Sequence, residues 1–439
     1  MLSKFNLFLR HAIALVRADK LFSTIYVAGT AVGIASAMVI AIFVHILVGD
    51  IAPESNRSRT LYLNSNFLMS SSPDMNVFGG FSQEAIDSCF RKMECVKAVV
   101  GYSDRIKYMG NKVSDMERQH EILAPLILTN TDFFRLYDFT FLSGRPFSEQ
   151  EFQDGERVCV ITERTAKALS VDTGSSLLMF GKAFRVVGVI KTVSYMLDKA
   201  AADIYLPYTE ETFDYDSKSS TYAYAGDIEV MILLRKGFTR QDFLHELKPL
   251  QQRYEAVASS QAGEEIGWRV IAHSHFFMIF STSEEESTSL KAVTLIPVAL
   301  LMLLFLLLPA INLSGLVSNR MEARRAEMGI RKAFGAKRRK LLWEVLFENM
   351  VLTLCGGLVG WLLSWLCICA ISENAVFLTI LTRGELHNSD VSLDFQMFFT
   401  PTLFIVCFVC CAVLNHMAAF MPAWRSLRKP IVESLNQKR

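Results

Sequence analysis

Four stretches of this chain, residues 21–48, 292–318, 349–371 and 398–421, contain no Asp, Glu, Lys or Arg. Crossing roughly 30 Å of hydrocarbon takes about 20 apolar residues, and in lipid only a helix satisfies its own backbone. The expected fold class is therefore an α-helical integral membrane protein with four transmembrane helices, the third starting at 345. A large mixed α/β extracytoplasmic domain, residues 49–291, is inserted between helices 1 and 2. The first apolar run covers 28 residues, far longer than the core of a cleaved signal peptide, so it is expected to remain as an anchor. Ahead of it, Phe5, Phe8, Leu9, Ala12, Ile13 and Val16 share one helical face, with Lys4, Arg10 and Arg17 off that face. Residues 1–20 are accordingly expected to form a cytoplasmic amphipathic helix in the headgroup region.

Charge placement orients the spans. Lys and Arg number 4 in residues 1–20, 9 in 319–344, 1 in 372–397 and 5 in 422–439. The positive-inside rule then places both termini and the 319–344 loop in the cytoplasm, with 49–291 and the short loop 372–397 outside. The net charge of +1 over 439 residues conceals this polarity. The three cytoplasmic pieces sum to +13, whereas residues 49–291 carry −8 and the outer loop −3. A near-neutral total gives no support to nucleic-acid binding. With 51% hydrophobic residues, the chain is also too apolar to be disordered.

In the outer segment, β-branched runs at 157–162, 184–193, 203–208, 228–235 and 268–274 predict strands. Helices are expected at 82–93, with Ser82 as N-cap, and at 239–257. The stretch at 65–80 is rich in turn residues and predicts a loop or the edge of an inserted subdomain. Catalytic signals are sparse. Within residues 49–291 there is no GxSxG, HExxH or CxxC, and His273 and His275, placed on one strand face, have no evident third metal ligand. Cys89 and Cys95 would be able to pair outside the cell, while Cys159 lies in an apolar strand and is expected as a buried thiol.

Between spans two and three, SNRMEARRAEMGIRKAFGAKRRKLLWEVLFENM predicts a helix up to Phe334, an αL stop at Gly335 and a second helix from about Lys337. Met328, Ile330, Ala333 and Phe334 offer apolar contacts, and Glu327, Arg331 and Lys332 offer charge. Such a hairpin suits a groove on a partner protein. It suits equally a solvated basic loop lying against anionic lipid.

EMGIRKAFGAKRRKLLWEVLFEN resembles the E-x-G-I-R-K-A-x-G-A…E signature of the FtsX/MacB-type permeases of ABC transporters. NTDFFRLYDFTFLSGRPFSEQE, RVCVITERTAKAL, FRVVGVIKTV and IYLPY are similar to the MacB-like periplasmic core domain. MPAWRSLRKPIVESL is similar to the closing motif of the FtsX-like permease region. The resemblance covers nearly the whole chain. It implies a bacterial inner-membrane subunit that pairs with a second permease chain and with a dimer of cytoplasmic ABC ATPase subunits. A coupling helix would touch the ATPase, its matching positions here being Glu327, Gly329, Ile330, Arg331, Lys332, Gly335 and Ala336. A periplasmic adaptor or membrane fusion protein and membrane lipids are further implied partners. No GxxxxGK[ST] occurs in these residues, a departure from MacB, so no cofactor is expected on the chain itself. ATP-Mg would be bound and hydrolysed by a separate polypeptide, leaving this subunit non-catalytic.

The spans hold few polar groups, chiefly His45, Asn312, Asn415 and His416, with Glu348 near the cytoplasmic edge of the third. That favours rods conveying motion, the family's mechanotransmission, over the walls of a pore. Gly29, Gly33, Ala37 and Ala41 on span one, and Gly356, Gly360 and Ser364 on span three, recur every four residues and predict close helix packing. Pro297 and Pro309 predict a local bend in span two. The resemblance implies export or extrusion of a substrate from the outer face. It admits an FtsX-like scaffold that activates a cell-wall hydrolase, or LolC/LolE-like lipoprotein release, as the alternative.

Overall fold

A computed structural model describes residues 20–70, 77–107, 109–195, 197, 199–208, 223–280, 288–372 and 401–428. The expectations for residues 1–19, 373–397 and 429–439 lie outside these described residues. The chain divides into two compact units, one drawn from residues 1–44, 293–378 and 398–439, the other from 45–292 and 379–397. The principal helices are α1 (Lys20–Val48), α2 (Arg240–Ala262), α3 (His275–Phe280), α4 (Thr288–Ala323), α5 (Arg325–Ala333), α6 (Arg338–Ser372) and α7 (Pro401–Arg428).

Three of these are long and apolar enough to cross a membrane: α1, α6 over Arg338–Ala370, and α7. Helix α4 contains a shorter apolar stretch, Ala292–Leu307, and runs unbroken through Pro297 and Pro309. Helix α7 continues beyond the expected end at 421 to Arg428, with Pro422 inside it. The proline removes one intrahelical donor there without ending the helix.

In the unit of residues 45–292, fourteen strands among the described residues join in one mixed sheet. Its centre is built from β1 (Thr60–Ser70), β2 (Val96–Ser103), β3 (Leu126–Thr129), β4 (Val158–Thr162), β5 (Lys182–Ile190), β6 (Ile204–Pro207), β7 (Glu229–Leu234) and β8 (Ile266–Ser274). The order is β1-β7-β2-β3-β6-β4-β5, with β8 antiparallel to β1 and parallel pairs at β3/β6 and β4/β5. Strands β3, β4 and β6 are buried at every position, as expected where both faces of a sheet are covered. Ser82 caps the helix Gln83–Ser88, whose side-chain oxygen accepts from Ala85 N. That helix is shorter than expected, giving way to a 3₁₀ turn at Phe90–Lys92. Thr239 opens α2 with a capping box completed by Asp242. In the 131–141 segment, Phe133 packs edge-on against Tyr137 (4.7 Å) and meets Tyr205 of β6 (5.6 Å).

Two expectations are corrected here. Residues 65–70 and 77–80 are strand, not loop, because their backbones pair with β8 and with one another, Phe67 opposite both Arg269 and Phe78. The partner strand is some 200 residues away, which a local pattern cannot reveal. His273 and His275 do not share a strand face, since β8 ends at Ser274 and His275 starts α3. His273 stacks on Phe277 (4.6 Å), and no group of three or more potential metal ligands exists among the described residues. Cys89, Cys95 and Cys159 are free and buried, and burial pushes the Cys89 and Cys95 thiols up to about 12.

His275 instead helps to close the end of α1, whose final residues belong to the unit of residues 45–292. The last carbonyls of any helix lack intrahelical donors. Here Arg57 Nη1 donates to Ile46 O (2.6 Å) and Gly49 O (3.0 Å), and its Nε pairs with buried Glu54 (2.6 Å). His275 Nε2–H donates to Leu47 O (3.0 Å), which leaves Nδ1 to accept from the Tyr62 hydroxyl (3.0 Å). Burial first, and the neighbouring Arg57 charge second, hold the imidazole pKa at about 4, so it is neutral at physiological pH. The unfolded chain, with a His pKa near 6.5, takes up this proton first. The resulting penalty is absent above about pH 6.5, grows as pH falls and levels off below about 4. His275→Gln, which keeps an N–H donor, should flatten that part of the stability-versus-pH curve, by at most about 3 kcal/mol. Calorimetric melting of wild type and variant at pH 7, 5.5 and 4 checks this.

Candidate functional site

The loop between α4 and α6 forms a compact hairpin. The expected continuous helix up to Phe334 is interrupted at Arg324, whose φ of −91° and ψ of 6° separate α4 from α5. Helix α5 ends as a Schellman motif: Gly335 N donates to Lys332 O (2.9 Å) and Ala336 N to Arg331 O (3.0 Å). Gly335 sits at φ +87°, a conformation that favours glycine because it has no Cβ.

The structure separates the candidate coupling residues into two sets. Met328 and Gly329 are buried, and Ala336 packs against a core that includes Val317, Met321, Leu341, Leu342 and Val345. Facing outward are Glu327, Ile330, Ala333 and Phe334, with Phe334 89% and Ile330 49% exposed. Arg331 is half-buried, pairing with Glu327 (2.6 Å) and reaching across to Glu344 of α6 (3.3 Å). Lys332 Nζ donates to Leu427 O at the end of α7 (2.8 Å), and partial burial, then the Arg338 charge, lowers its pKa.

Beneath α5 lies a group that is not among the coupling positions named above. Glu348 of α6, almost fully buried, pairs with Arg320 of α4 and with Arg324 (3.4 Å). Arg320 also covers the Phe22 ring of α1, 4.3 Å from its centroid. Exposed pairs such as Arg331–Glu327 contribute little to stability. A buried carboxylate differs: removing it takes a close counter-charge from two largely desolvated arginines, of which Arg324 keeps a pair with Glu327 (3.5 Å), and such a loss costs several kcal/mol. One signal did point to this cluster, namely an acidic residue beside an otherwise uncharged span, set four residues from Glu344, with Arg320 and Arg324 also four apart.

The small-residue stripes are placed as follows. A Cβ at Gly356 would lie 2.7 Å from Thr30 Cβ, and one at Gly360 2.8 Å from Ala31 O, so α6 meets α1 nearly backbone to backbone. On α1, Gly33 and Ala37 are buried, while Gly29 has nothing within 4 Å of an added Cβ. The ridge of α1 met by these glycines therefore runs through Val27, Thr30, Ala31 and Ile34. Polar groups tie the same helices: Tyr26 bonds Thr353 (3.0 Å), and Asn415 Nδ2 donates to Thr353 (3.3 Å) and Thr30 (3.4 Å). Gly360→Leu should lower the melting temperature of the purified chain by several degrees, whereas Gly29→Leu should leave it within a degree or so. Thermal unfolding of both variants in mild detergent tests the assignment.

Comparison with known proteins adds two family matches. Residues 23–250 match the MacB-like periplasmic core domain, and 299–431 match the FtsX-like permease C-terminal region. The chain is 23% identical over 371 residues to the uncharacterized ABC transporter permease YknZ of Bacillus subtilis, covering 80% of this chain and 83% of that one. It is 20% identical over 349 residues to the macrolide export ATP-binding/permease protein MacB of Acinetobacter baylyi, covering 78% of this chain and 46% of the relative. It thus spans about half the length of that MacB. Among solved structures, the extracellular domain of YknZ from Gram-positive bacteria aligns at 16% identity and a TM-score of 0.32, covering 48% of this chain and 98% of that one.

Proposed function

Because the chain belongs to the MacB/FtsX family of ABC-transporter permeases, we propose that it is the membrane subunit through which a separate cytoplasmic ATPase moves an extracytoplasmic domain. In this reading α1, α4, α6 and α7 are four membrane crossings, and both termini and the α5 hairpin are cytoplasmic. The +13 charge of the cytoplasmic pieces supports that orientation. Two permease chains would stand over two ATPase subunits, which bind and hydrolyse ATP-Mg.

One observation carries the reading. An exposed apolar pair, Phe334 and Ile330, projects from a helix whose opposite side is embedded in a core and held by ion pairs. Leaving a phenylalanine ring in water is unfavourable by roughly 1.5–3 kcal/mol, so its position at the tip of a braced hairpin suits a partner's groove. A push on Phe334 would reach α6 through Arg331–Glu344 and α7 through Lys332–Leu427. It would reach α4 through the shared Glu348 cluster. Helices α1 and α4 lead into the outer unit, where the resulting movement would export or extrude a substrate from the outer face of the membrane. The uncharged spans support conveyance of motion over passage of solute between them.

Phe334→Glu tests the docking. In membranes containing the chain and its ATPase partner, co-purification of the ATPase should fall at least about tenfold. The melting temperature of the permease should not change, since the side chain is 89% exposed. Undiminished ATPase recovery with the variant would refute the hairpin's role.

A further inference from the structure

Beside the polar seam of the helical unit, α6 and α7 leave a groove of about 550 Å³. Its apolar part is formed by Leu346, Met417, Phe420 and Met421, and one end is closed by Trp424 and Arg425. We propose that this groove is a binding site for an anionic diacyl phospholipid, an acyl chain lying along the methionines and phenylalanine and the phosphate meeting Arg425. The inference rests on the cytoplasmic placement of these helix ends given above.

The pattern along α7 supports an amphiphile. Its buried face carries Cys407, Cys411, Asn415, Ala419, Ala423 and Leu427 at intervals of four. Its other face is exposed and graded, apolar at Met417 (67%) and Met421 (58%), then aromatic at Trp424, then cationic at Arg425 and Arg428. Phe420 stacks on Trp424 (5.7 Å), and the Arg428 guanidinium lies 4.9 Å from the Trp424 ring centroid. Tryptophan with nearby cations at a helix end marks the depth of lipid headgroups. Trp343, 65% exposed beside Arg338, Arg339 and Lys340 near the start of α6, repeats the arrangement.

Charge selects the occupant. Among the described residues no carboxylate pairs with Arg425. The nearest acids of α6 are committed elsewhere, Glu344 to Arg331 and Glu348 to Arg320 and Arg324. A second copy docking this face by two-fold symmetry would bring its own Arg425 and Arg428 against these, like charge on like. An anionic headgroup seated at Arg425 instead offsets one of these two charges.

Native mass spectrometry of the full chain in mild detergent, titrated with dioleoyl phosphatidylglycerol or dioleoyl phosphatidylcholine, tests the site without ATP or ATPase. Failure here would therefore leave the coupling role untouched. Phosphatidylglycerol should be retained in preference to phosphatidylcholine. Arg425→Gln should weaken that retention roughly fivefold with no change in melting temperature, while Arg339→Gln, equally cationic but outside the groove, should not weaken it. Phe420→Ala with Met421→Ala should reduce retention of both lipids. Equal retention of the two lipids by wild type, or an equal loss with Arg339→Gln, would overturn the site. So would loss of a chain dimer on Arg425→Gln, which would show a second copy covering the face.

Discussion

The buried carboxylate of Glu348 holds three parts of the helical unit together. It lies on α6, receives Arg320 from α4, and receives Arg324 from the break between α4 and α5. An ionised group in that position is tolerable only while both guanidinium groups remain close. The break at Arg324 lets α5 turn away from α4, yet Arg324 itself binds the turn to α6. The Schellman closure at Gly335 then fixes where α6 begins. A hairpin built in this way has little freedom to flex alone, so under the proposed coupling a load on Phe334 would be passed to the long helices.

Around this anchor, the packing of α1, α6 and α7 follows from lipid as solvent. Apolar side chains gain nothing by leaving hydrocarbon, so association relies on close backbone approach and buried polar bonds. Gly356 and Gly360 supply the first against Thr30 and Ala31, and the Tyr26, Thr353 and Asn415 group supplies the second. At the far end of α1 the chemistry changes, because its final carbonyls are satisfied by Arg57 and by a neutral His275. The helix thus ends held by side chains of the unit of residues 45–292, with no free last turn.

Much of this was legible in the amino-acid sequence, for physical reasons that differ from residue to residue. The apolar runs declare themselves because a charged residue in hydrocarbon is costly. Gly335 declares itself because few other residues accept a positive φ. Gly29 was less informative, since a four-residue stripe shows that small residues share a helix face without showing which face a neighbour occupies. Strand β1 was hidden by its polar residues, as its pairing with β8 depends on backbone bonds to a distant segment. His273 and His275 suggested a shared face only on the assumption that β8 continued past Ser274. Asn415 appeared as an isolated polar group and is in fact the link between α7 and two hydroxyls.

In the proposed coupling, movement of the hairpin reaches the unit of residues 45–292 through the Glu348 anchor. The direct measurement is the distance between spin labels at exposed Lys236 in the two permease chains of the ATPase complex, with ADP and with a non-hydrolysable ATP analogue. The wild-type distance distribution should shift between the two nucleotides. In Glu348→Gln the shift should vanish while the complex still hydrolyses ATP. An undiminished shift in Glu348→Gln would contradict the claim.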